Sequence, residues 1–194
     1  MKNIIDNFRL EPLTEARFVH TSLARFSQNG IEKDWEVVKA HDSVAILIYH
    51  REKESFILVK QFRPAVYLHN DEGMTIELCA GIIDKELSLE QIALEEIEEE
   101  CGFRAPSEKI ERISSFYTSV GFAGSRQTLY YVEVDEGMKI SDGGGIDGEV
   151  IEVIEISPDE AKALIYDETI PRTPGLMFAL MWWFERFGRE RSGR

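Results

Sequence analysis

GIIDKELSLEQIALEEIEEECGF, residues 81–103, decides how the rest of the chain is read. Ser88 and Gln91 have the spacing of a capping box, and Leu89, Ile92, Ala93 and Ile97 fall on one apolar stripe, so the stretch predicts a helix. Gly102 supplies its stop. Five of the six residues 95–100 are glutamates, Ile97 being the exception. On a helix Glu96, Glu99 and Glu100 share a face, with Glu95 beside Glu99. Each like-charge pair there costs roughly 0.2–0.5 kcal/mol, and the helix dipole adds about 0.3–1 kcal/mol for each carboxylate near a C-terminus. A solvated acidic face is the ordinary meaning of such a run. A hard divalent cation held by carboxylate oxygens would instead turn the repulsion into a ligand set.

The frame around the glutamates favours the second meaning. Gly81, Glu96, Ile97, Glu99, Glu100, Gly102 and Phe103 stand in register with the motif of the Nudix hydrolases, which the sequence resembles: G, five residues, E, seven residues, R-E-U-x-E-E-x-G-U, with U bulky and apolar. Leu87 stands where that motif has its first glutamate, and Glu95 where it has arginine.

The 194 residues suit one domain, or one domain with a small appendage, and at 43% hydrophobic they can form a core. A net charge of −14 argues against a nucleic-acid or anionic-membrane surface. No apolar run is long enough to span a bilayer, and residues 1–10 have no signal-peptide core, so a cytoplasmic protein is expected. Cys79 and Cys101 flank the motif and are read as reduced and packed. Neither paired-cysteine spacing nor a histidine cluster suggests zinc.

Outward from the motif, residues 17–26 and 31–39 predict a hairpin turned at Asn29-Gly30, a β appendage covering residues 1–40. The remaining domain, 41–194, starts with a second hairpin, 43–50 and 55–62, whose continuous apolar character predicts central strands. Arg63 lies just beyond it, and Glu77, inside a predicted strand 75–79, needs a partner for which Arg63 is suited. Strands are expected over 109–117, 127–134 and 150–156. The loop 118–126, with two glycines, three hydroxyl residues and Arg126, could contact phosphate or sugar, although ordinary turn chemistry explains it almost as well. The glycine-rich stretch 141–148 leads to Glu149, as either a catalytic lid or a plain linker. Ser157-Pro158 and Thr173-Pro174 open two helices, the second apolar enough to be buried. The mixture predicts an α/β sandwich with a mixed sheet between the motif helix and the C-terminal helix.

The resemblance covers most of the chain and implies the same αβα sandwich. Residues 59–67, 77–81 and 124–128 are most similar to the UDP-sugar diphosphatases within the ADP-ribose and sugar-nucleotide branch, a subgroup that also tolerates the leucine and lacks the arginine. It implies hydrolysis of the pyrophosphate of a nucleoside diphosphate sugar, UDP-glucose-like first and ADP-ribose second, with Mg²⁺ or Mn²⁺. Glu96, Glu99, Glu100 and the Ala80 carbonyl would be the metal ligands, and Gln61, Arg63, Glu77 and Arg126 would serve the substrate. Glu149 is the implied general base, with Asp147 second and Glu95 or Glu99 as alternatives. The branch further implies a homodimer through the N-terminal strands. A nucleotide-sugar-binding protein without catalysis is the competing expectation, supported by Leu87 and Glu95 alone.

Overall fold

The structure, a computed structural model, describes residues 4–146 and 148–191. Asn29 and Gly30, with φ of 55° and 77°, make the tight turn between strands β1 (His20–Gln28) and β2 (Ile31–Lys39), which form a separate two-stranded sheet. Positive φ at both central residues matches the right-handed twist of paired strands, which is why Asn-Gly serves there. Val38 donates its backbone N–H to the Phe122 carbonyl at 2.8 Å, and the Trp35 indole N–H to that of Gly121 at 2.7 Å, tying the appendage to a loop of the main domain.

The main domain is built on a seven-stranded mixed sheet. Strands β3 (Ser43–His50) and β4 (Ser55–Phe62) form the expected hairpin, but they pair only at its closed end, from Ile48↔Ile57 to His50↔Ser55. Toward the other end they part, and the predicted strand 75–79 proves to be two: β5 (Met74–Glu77) pairs with β4, and β6 (Cys79–Ile82) pairs with β3. Leu78 is the joint. Both backbones bordering the gap need hydrogen-bond partners, and one short stretch satisfies each in turn. β8 (Ser125–Val134) runs parallel to β3 along its length, β7 (Glu111–Thr118) pairs antiparallel with β8, and β9 (Ile151–Ile156) flanks β4.

Strand alternation divides the core in two. Val44, Ile46, Ile48, Ile57, Val59, Tyr130 and Val132 face helix α2 (Leu89–Cys101) with its Ile92, Ala93 and Ile97. Ala45, Leu47, Tyr49, Phe56, Leu58 and Leu129 face α3 (Pro158–Leu164) and α4 (Pro174–Arg191), where Leu176, Leu180 and Trp183 are buried. This is the αβα sandwich. Ser88 caps α2 through the predicted box with Gln91, and Gly102, at φ 77°, ends it. Cys79 in β6 and Cys101 at the end of α2 are free buried thiols. A helix not anticipated from sequence, α1 (Pro64–Asn70), follows β4 directly, with Pro64 in its first turn.

Candidate active site

The parting of β3 and β4 creates a cleft of about 310 Å³ at one end of the sheet. Gln61, Arg63 and Glu77 line it from the β4 and β5 side, Ala80, Gly81 and Ile82 from β6, and Ser43 and Gln127 from the starts of β3 and β8. Glu96 and Glu100 enter from α2, and Glu149 from the loop ahead of β9. Seven of the residues expected from sequence therefore meet in one place. Glu99 contributes its charge to the neighbourhood of Glu96 without lining the cleft. Arg126 lines a separate cleft, and Asp147 falls outside the described residues.

Arg63 and Glu77 form the expected pair, with Nε to Oε1 at 2.7 Å and Nη2 to Oε2 at 2.8 Å. The Glu77 carboxylate is nearly buried and also accepts the Thr75 hydroxyl, and it raises the Arg63 guanidinium above its ordinary range. Fork-to-fork geometry fixes the arginine plane and leaves Nη1 without a partner among the described residues.

The two α2 carboxylates behave differently. Glu100 is only 4% exposed, accepts the Ala80 backbone N–H at 3.0 Å, and has its pKa pushed up to about 8, chiefly by burial. Glu96 is pushed up to about 7 by burial first and by the charges of Glu99 and Glu149 next. Neither has an ion pair to lysine or arginine among the described residues. Gly81 leaves room for Glu96, because a Cβ there would overlap its carboxylate and push that side chain aside. Glu95, standing in the motif's arginine position, bonds Lys85 at 2.7 Å, so the loop before α2 supplies a cation that sequence reading missed. The same lysine partly offsets the rise at Glu96.

The glycine-rich stretch is docked rather than free. Gly144 and Gly145 donate their N–H groups to the carbonyls of Glu100 and Glu99, at 2.9 and 3.1 Å, satisfying acceptors that every helix end leaves open. A Cβ on Gly143, whose φ is 69°, would strike the Glu100 carbonyl at 2.2 Å. Glu149 is exposed and accepts the Ile146 N–H at 3.3 Å. The segment that carries Glu149 is thus fastened to the turn of α2 that carries Glu100.

Among the described residues no three Asp, Glu, His or Cys side chains stand close enough together to enclose a metal ion. The donor chemistry nonetheless fits a hard divalent cation: oxygen ligands only, and two carboxylates held partly out of water without an ion pair to lysine or arginine among the described residues.

The NUDIX domain model matches residues 39–174. A uridine diphosphate glucose pyrophosphatase of Bos taurus is 38% identical over 188 residues, covering 82% of this chain and 85% of that protein. Its Mus musculus counterpart is 35% identical over 211 residues, covering 94% and 95%. A GDP-mannose pyrophosphatase of Cronobacter sakazakii is 36% identical over 157 residues, covering 77% and 79%. With glutamates at the motif spacing brought to the split in the sheet, and the family model spanning most of its length, the chain belongs to the Nudix family.

Proposed function

We propose that the protein hydrolyses the pyrophosphate bond of a nucleoside diphosphate sugar, UDP-glucose-like in preference to ADP-ribose, releasing a nucleoside monophosphate and a sugar 1-phosphate. The observation that carries this reading is the 38% identity, over most of both chains, to a protein named as a UDP-glucose pyrophosphatase, joined to a cleft that holds Glu96, Glu100, Glu149 and Arg63 together. Glu96, Glu99, Glu100 and the Ala80 carbonyl would hold Mg²⁺ or Mn²⁺. That ion supplies neutralisation of the phosphate oxygens. Arg63, its plane set by Glu77, offers Nη1 to a phosphate oxygen, and Gln61 offers its amide beside it. Glu149 takes a proton from a water molecule, whose oxygen bonds to phosphorus as the bridging P–O bond breaks and the departing phosphate keeps that electron pair.

The oligomer belongs to the same reading. Phe26, Ile31 and Trp35, on one face of the β1–β2 hairpin, are 41–62% exposed, and a cavity of about 680 Å³ opens between the hairpin and Phe122. We assign this face to a homodimer, for which a solution mass of twice 22.3 kDa is the test. No helix among the described residues is long and apolar enough to cross a membrane, and the free thiols accord with a reducing cytoplasm.

Incubation with Mg²⁺ and a panel of UDP-glucose, GDP-mannose, ADP-ribose and a nucleoside triphosphate decides the activity. UMP and glucose 1-phosphate, lost in Glu100→Gln, are the expected products. Metal-dependent ligand binding without turnover would replace hydrolysis with recognition.

A further inference from the structure

The glutamate face of α2 has a cation close at hand, tied off to one side. Lys85, in the loop that runs from β6 to the cap of α2, places Nζ 2.7 Å from Glu95 Oε2. After Glu95, the carboxylates whose charges act on it are Glu99 and Glu96. Among the described residues it is the one lysine or arginine that forms an ion pair with Glu95, Glu96, Glu99 or Glu100. Arg104 pairs instead with Glu98, which points away from Glu96 because residues two apart on a helix do not face each other. Neither Lys85 nor Glu95 lines the cleft.

Stability does not account for the Lys85–Glu95 pair. Its side chains are 45% and 42% exposed, and ion pairs so open to water contribute little. What the pair decides is where a positive charge rests. Glu96 is the next residue along α2, and Glu99 lies one helical turn beyond Glu95, about 6 Å along the axis. The flexible four-carbon stem of a lysine spans that interval. Released from Glu95, the ammonium would settle on Glu99 or Glu96 and occupy oxygens that a divalent ion needs.

We propose that Glu95 is a positioning residue that parks Lys85, holding its ammonium off Glu96 and Glu99 and so keeping those carboxylates open to the divalent cation. The inference rests on the reading of the α2 glutamates as metal ligands of a hydrolase site. It gives a task to the glutamate that stands in the motif's arginine position. An arginine there would repel Lys85 toward the ligands, whereas the glutamate draws it away from them.

The test measures Mn²⁺ binding at neutral pH, the free ion being counted by its paramagnetic resonance. Glu95→Gln should weaken binding by about 10-fold or more, since the freed ammonium both occupies ligand oxygens and repels the ion. On a Lys85→Gln background the same change should weaken it by no more than about 3-fold, the effect of one screened charge. Removing the second partner therefore rescues the loss caused by removing the first. Glu98→Gln, which frees Arg104 instead, should stay within about 2-fold of the parent. In EDTA, Glu95→Gln should melt within about 4 °C of the parent, and a larger fall would mark the pair as a structural tie and overturn the proposal. Equal loss from Glu95→Gln in both backgrounds, or an equal loss from Glu98→Gln, means that the charges act independently, which also overturns it. Failure of the two readings is distinguishable: no Mn²⁺ binding by the unsubstituted protein removes the metal site and the parking role together, whereas equally tight binding by the unsubstituted protein and Glu95→Gln removes the parking role alone.

Discussion

Glu100→Gln should stabilise the metal-free protein while abolishing its activity. Glu100 is almost completely enclosed, and burial holds its carboxyl up at about 8 against an ordinary 4.5. Between those values the folded chain binds a proton that the unfolded chain releases, so stability falls as pH rises through that window, and no penalty exists below pH 4.5. At about 1.4 kcal/mol per pH unit the penalty is roughly 3 kcal/mol at pH 7 and about 5 kcal/mol above pH 8. These are upper figures, because Glu96 and Glu149 contribute to the shift and relax when Glu100 changes. Glutamine removes the charge and keeps an acceptor for the Ala80 N–H. In EDTA at pH 7, the variant should melt about 6–12 °C above the parent protein, from about 2–4 °C per kcal/mol for a chain of this size. The difference should vanish near pH 4.5 and widen toward pH 8. Added Mg²⁺ should raise the parent's melting temperature at pH 8, much less at pH 5, and the variant's hardly at all. A variant that melts below the parent in EDTA at pH 8, or a difference independent of pH, would refute the idea that Glu100 is a buried charge awaiting a cation.

Four shorter tests bear on the rest of the site. Glu149→Gln should reduce kcat by roughly 10²–10⁴-fold with KM little changed, measured on UDP-glucose under saturating Mg²⁺. Arg63→Ala leaves the nearly buried Glu77 carboxylate without its partner and should cost about 2 kcal/mol in urea denaturation as well as raising KM. Gly81→Ala forces the Glu96 side chain aside, so activity should fall at least about 10-fold while the denaturation midpoint changes by less than about 1 kcal/mol. Phe26→Glu, on the exposed face of the hairpin, should convert a dimer into a monomer by light scattering without altering the circular dichroism spectrum.

The sequence was most readable where local chemistry and the tertiary environment agree. Ser88, Gln91 and Gly102 carry their own backbone instructions, and the alternation of β3 and β4 follows from strands covered on both faces. The Arg63–Glu77 pair was also legible, since a carboxylate in an apolar strand needs a cation and one lay nearby in the chain. The division at Leu78 was not, because residues 74–82 look like one apolar strand until the parting of β3 and β4 shows that each half has a different partner. Lys85 was hidden for a similar reason: its bond to Glu95, ten positions away, joins a loop to a helix. Helix α1 was masked by its length of seven residues, too short for periodicity to declare itself. Residues 141–148 looked like slack chain from their glycines, but Gly143, Gly144 and Gly145 adopt positive φ to let backbone approach backbone.

That docking constrains how the protein can vary. Because Gly144 and Gly145 cap the carbonyls of Glu100 and Glu99, the distance from those residues to Glu149 is measured from a common origin, like two marks on one ruler. Added or deleted residues between 143 and 149 would shift one mark and leave the other in place. Length changes at the Asn29-Gly30 turn, or at the turn 51–54, would leave both marks untouched. Mutational libraries that insert single residues should therefore find the glycine stretch intolerant over 143–149 and permissive at those two hairpin tips, an inversion of what its composition suggests.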